Sequence, residues 1–153
     1  MTEIGFYHLT RSTLEQALPR LLGRVLAIPG RALVLCADEE RLRALDDALW
    51  TCSEPDWLPH AVHHAARPEA NAAHQPILLS LDDAPPPNGA RHLFLTEGAR
   101  SGRLAEFERA FDLFDGNDEA GVQAARERWR EAKARGHAAA YWSQGPGGWE
   151  RKA

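Results

Sequence analysis

Three cations and one indole at helical spacing are the most chemically suggestive set in this 153-residue chain. Val122, Ala125, Trp129, Ala132 and Gly136 recur at i, i+3, i+7, i+10 and i+14, one face of a helix over residues 118–136. Arg126, Arg130 and Lys133 edge that face, while Glu127 and Glu131 point away from it. A guanidinium grips a carboxylate through paired hydrogen bonds and also stacks on rings. An aromatic beside several such groups therefore suits a ligand with an apolar tip and negative charge. The competing reading is a surface helix whose arginines are solvated and whose Trp129 is core, because most charge runs face water.

Other residues offer weaker chemistry. Trp50, Trp57, Leu58 and Pro59 put unusual apolar surface at a helix end and on a proline-containing loop. Tryptophan is prominent at protein–protein hot spots, so this stretch is a candidate partner surface, with local loop packing as the alternative. His60, His63 and His64, near Cys52, have a spacing that gathers imidazoles on a helix, yet no helical pattern or nearby acid completes a metal site. Asp82 and Asp83 follow a strand, where α/β enzymes place carboxylates, but the three prolines after them favour a loop terminus. Residues 98–102 carry two glycines without the Lys-Ser/Thr of a phosphate loop, and no G-x-G-x-x-G follows any strand. G-x-S-x-G, H-E-x-x-H and C-x-x-C are absent as well. The sequence thus predicts no catalytic residues, no metal and no cofactor.

The elements that must position these residues read as follows. Residues 4–9 form a strand, and Ser12 with Glu15 is a capping-box pattern before a helix from Leu14 to Leu26, with Pro19 inside it. Residues 32–36 are a continuous apolar run, the mark of a buried parallel strand. Asp38 caps a helix that buries Leu42, Leu45, Ala48 and Leu49 and ends at Trp50. Residues 61–75 read as irregular. Strands are predicted at 77–81 and 92–95. Leu104, Phe107, Phe111 and Phe114 mark a helix face stopped by Asp115-Gly116. Asn117 or Asp118 starts the cationic helix, Gly136 ends it in a left-handed cap, and residues 138–142 give a further strand. Alternating strands and helices argue for an α/β fold: a mainly parallel sheet with helices on both faces, Rossmann-like but lacking the glycine loop. Residues 1–142 form one domain, and 143–153, with GPGG, read as a flexible tail.

Composition narrows the class. Hydrophobic residues make up 44% and charged residues 26%, ordinary for a globular protein, and the net charge is -4, so any anion site must be local. Cys36 and Cys52 make no disulfide framework, which fits a cytoplasmic setting, and no signal peptide or membrane span is expected.

Several stretches together resemble the chi subunit of the bacterial DNA polymerase III holoenzyme: FYHL near the start, CADEERLRALDDALW ending at Trp50, WLPH from Trp57, PILLSL from Pro76, and FDLFDGNDEAGVQAARERWREAKARG from Phe111. The resemblance implies a non-catalytic accessory protein of the clamp loader. Such a protein binds the acidic, Pro-Phe-ending C-terminal tail of the single-stranded-DNA-binding protein and pairs with the psi subunit. It places the tail pocket on the helix that carries the pattern Ala125, Arg126, Glu127, Arg128, Trp129 and Arg130, with Arg126 and Arg130 on carboxylates and Trp129 lining the pocket for the terminal Phe. Val122 stands where the family often has a lysine, and Lys133 is the candidate to compensate. The psi-facing aromatics correspond to Trp50 and Trp57. The alternatives are a small α/β enzyme or nucleotide-binding protein using Asp82 and Asp83, and direct nucleic-acid binding by the arginine helix, which the net charge opposes.

Overall fold

The computed structural model describes residues 2–52 and 58–153. In chain order its elements are β1 (Glu3–Leu9), α1 (Leu14–Ala27), β2 (Ala32–Leu35), α2 (Glu39–Thr51), β3 (His60–Val62), β4 (Ile77–Ser80), β5 (His92–Thr96), β6 (Arg109–Asp115), α3 (Glu119–Ala134), β7 (Ala138–Gly145) and β8 (Gly148–Arg151). The eight strands make one sheet in the order β3-β4-β2-β5-β6-β1-β7-β8. Every pairing is parallel except the β7–β8 hairpin.

Alternation along each strand divides the core in two. Tyr7, Leu9, Val34, Phe94, Phe111 and Leu113 face α1 and α2, whose Leu18, Leu22, Leu42, Leu45 and Leu49 cover them. Ile4, Phe6, Leu33, Leu95 and Phe114 face the other way, where α3 contributes Ala125 and Ala132. Helices therefore lie on both faces, as the sequence predicts. Arg41 of α2 holds the first layer together at its edge, pairing with Glu15 of α1 and, at 2.7 Å, with Glu97 beyond β5.

Four sequence expectations are corrected. The face of Leu104, Phe107, Phe111 and Phe114 is not a helix: a 3₁₀ turn (Leu104–Glu106) precedes β6, whose residues Ala110–Phe114 are all buried. β6 is covered on both sides, so the alternation that marks a half-exposed strand is missing. Residues 61–75 are not wholly irregular, since β3 and a turn at Ala72–His74 fall there. The capping box of α1 is Thr13 with Gln16, one residue later than Ser12 with Glu15. The Ser12 hydroxyl is engaged elsewhere, accepting from the Gln144 amide at 2.6 Å. Finally, the segment after Trp142 is not frayed. It completes β7 and turns back as β8, anchored by Trp149, whose ring meets Tyr7 edge-on at 5.0 Å.

Candidate functional site

α3 runs across β1 and β7 on the second face of the sheet, and its residues divide by angle around the axis. Ala125 and Ala132 are buried, and between them lies Arg128, only 9% exposed. Arg128 donates from Nε and Nη2 to the two carboxylate oxygens of Asp112 at 2.7 and 3.0 Å. Burial pushes the Asp112 carboxyl up from its ordinary value, and the guanidinium opposes that shift. A buried charge pair needs such a two-point geometry to offset its desolvation. Arg128 is thus a structural arginine that pins α3 to β6, a role the sequence reading left unassigned. The signal was there: one acid inside the apolar run AFDLF and one arginine inside the buried arc of the helix.

The next residue turns Trp129 toward β1 and β7. Its indole meets Phe6 at 5.7 Å and Tyr141 at 6.0 Å, both edge-on, and stays half-buried. The Lys133 ammonium lies 5.0 Å from the Trp129 ring centroid, a cation–π contact that occupies it against the indole. Val122 is half-buried against the same core. Arg126 and Arg130 are exposed, and among the described residues neither pairs with a carboxylate. The start of α3 is by position at Asp118, but its side chain accepts no capping bond. Gly136 closes the helix with φ +83, as its sequence position predicts.

An open groove of about 560 Å³ runs between α3 and the β7–β8 hairpin. His8, Arg126, Trp129, Tyr141, Gln144 and Lys152 are among its lining residues. Two cations line it, Arg126 from α3 and Lys152 from the segment after β8, the second paired at 3.1 Å with the exposed Glu150. Arg130 and Lys133 do not line it. The walls are held firmly. His8 shares a hydrogen bond with the Tyr141 hydroxyl at 2.9 Å, and burial raises the Tyr141 phenol while the charge of Arg126 opposes that rise. Gln144 Oε1 accepts from three successive backbone amides, Thr10, Arg11 and Ser12, at 3.0, 2.8 and 3.1 Å. Such a concave run of amides suits a negatively charged oxygen, and here the side-chain amide fills it.

The second candidate surface lies at the end of α2. Trp50 is 60% exposed, and its ring packs 4.4 Å from that of His60. Leu58 is 1% exposed and belongs to the core, so it supports this surface from beneath. Pro59 is half-buried, and Trp57 lies outside the described residues.

The remaining polar clusters have separate partners. His60 bonds the Leu58 carbonyl at 2.7 Å and Asp46 at 3.0 Å, His63 accepts from the Glu69 amide, and His64 forms a bridge with Arg67. These histidines lie on and after a strand, so the helical spacing does not gather them. Among the described residues no group of three His, Cys, Asp or Glu could hold a metal ion. Asp82 accepts from the Ala65 amide, and Asp83 accepts from the Ser101 hydroxyl and the Gly102 amide, so both tie loops together.

The model of the family described as DNA polymerase III chi subunit, HolC, matches residues 1–140. A comparison with curated proteins found no match. The match spans most of the chain, and the chain belongs to the DNA polymerase III chi family, whose members are non-catalytic accessory subunits in DNA replication. Among the described residues no helix is long and apolar enough to cross a membrane.

Proposed function

We propose that this chi-family chain is an adaptor that captures the acidic, Phe-ending C-terminal tail of single-stranded-DNA-binding protein and links it to the clamp loader. The observation that carries the reading is the groove between α3 and the hairpin: Arg126, which no carboxylate pairs among the described residues, beside the half-buried Trp129 and Tyr141, with Lys152, held by Glu150 at 3.1 Å in an exposed pair, also lining it. The terminal side chain packs against the indole and phenol rings. The acidic residues and the terminal carboxylate meet Arg126 and Lys152, and Arg130 adds long-range attraction from outside the groove. Exposed ion pairs contribute only ~0.2–1 kcal/mol each. Selectivity therefore comes from the apolar terminus combined with the carboxylate. The exposed Trp50, with its ring against His60, is the surface for psi or another clamp-loader element, and Trp57 and Pro59 follow it in sequence.

The test is a titration of a fluorescent peptide carrying that tail. Wild type binds saturably, and removal of the terminal Phe abolishes binding. The Arg126→Ala, Arg130→Ala double variant loses at least tenfold in affinity with an unchanged circular dichroism spectrum. Wild-type affinity in the double variant would overturn the site assignment.

A further inference from the structure

A second cavity, of about 220 Å³, lies on the opposite flank of α3, between that helix and the connection from β5 to β6. Ile4, Phe6, Leu95, Leu104 and Ala132 give it apolar walls. At its base is the nine-tenths-buried Arg128. Asp112 takes Nε and Nη2 of that guanidinium, and Nη1 makes no hydrogen bond among the described residues. A planar guanidinium offers five donors in a fixed fork, and the Nη1 edge is open to solvent at a cavity that Arg128 lines, so it can donate to an acceptor that enters. Arg100 and Glu131 pair at the rim, 60% and 47% exposed, and Arg135 adds a further cation that no carboxylate pairs among the described residues. The charged lining is thus Arg100, Arg128 and Arg135 against Asp112 and Glu131, a net of +1. An exposed ion pair opens readily, so the rim is no barrier to entry.

We propose that this cavity binds a small monocarboxylate with a compact apolar body, its carboxylate on Arg128 Nη1 and Arg135 and its body against Ile4, Phe6 and Leu104. One negative charge balances the lining. The volume suits one ring: an apolar cavity of about 150 Å³ accepts benzene, and a carboxylate needs modestly more. The site does not use Arg126, Trp129 or Tyr141 and stands independently of the tail groove.

The probe is benzoate, followed by NMR of the methyl and aromatic groups of the whole chain, with benzyl alcohol as the uncharged control and the tail peptide as the other source of a terminal carboxylate. Benzoate is expected to shift Ile4, Leu104 and Ala132 saturably, in wild type and in Arg126→Ala alike. Gly102 lines the cavity, and a Cβ there would meet only Asp83 Oδ2, at 3.8 Å, so Gly102→Leu adds bulk to the lining without strain. It is expected to weaken benzoate at least tenfold and leave the tail peptide unaffected. Arg135→Ala is expected to weaken benzoate severalfold. The proposal is overturned if the shifts centre on Trp129 and Tyr141, if benzyl alcohol binds as well as benzoate, if Gly102→Leu binds benzoate like wild type, or if the tail peptide displaces benzoate.

Discussion

At the scale of single residues, three arginines of one helix have three fates, and the difference is geometric. Arg126 borders a groove, Arg130 faces water, and Arg128 is buried on Asp112. Composition and spacing revealed the first two as an edge. They left out the third, because its partner lies on a strand that the sequence presents as helix. Removing Arg128 alone leaves a carboxylate buried without a counterion. Arg128→Met is expected to cost about 3–5 kcal/mol, read from urea unfolding. The Arg128→Met, Asp112→Leu pair should recover most of that loss, since an apolar pair of similar volume avoids the desolvation. Cys36 gives a second residue-scale outcome. Burial pushes its thiol up to about 12, so at pH 8 it carries almost no thiolate. Mass spectrometry after iodoacetamide treatment of the native protein should find Cys36 unmodified, and modified once the chain is unfolded.

At the scale of elements, α1, α2 and α3 and the continuous apolar strands were legible, because periodicity and caps are local signals. β6 was not. Leu104, Phe107, Phe111 and Phe114 happen to fall at three- and four-residue intervals, and only the neighbouring strands, distant in sequence, settle the matter. The hairpin was hidden for a different reason. Its glycines and proline read as disorder, while the contact that orders it, Trp149 on Tyr7, spans almost the whole chain. Part of the candidate site was hidden with it, since Gln144 and Lys152 belong to that segment while Arg126 and Trp129 do not. Trp149→Ala should therefore release the hairpin before the rest of the sheet. Its ring is half-buried, so the loss is roughly 1–3 kcal/mol, below the ~3–5 for a fully buried aromatic. Amide exchange should quicken in β8 and the end of β7, remain slow in β2 and β5, and accompany a weaker tail affinity.

At the scale of the whole molecule, the net charge of -4 opposes an acidic ligand, and only the local field around α3 attracts it. Tail affinity should fall steeply between 50 and 300 mM salt, conditions that shrink the screening length below about 14 Å. An affinity independent of salt would show an apolar contact acting alone. The strand order carries a further consequence, for how the chain is made. Among the described residues β1 pairs only with β6 and β7, with Glu3 opposite Arg109 and Ala138. It leaves the ribosome early, but its partners follow more than a hundred residues later, which at about 5–20 residues per second is a delay on the order of 5–20 s. During that interval Ile4, Phe6, Tyr7 and Leu9 have no sheet to enter. The nascent chain thus offers chaperones an apolar edge for most of its synthesis, and folding is completed only after β6 has emerged.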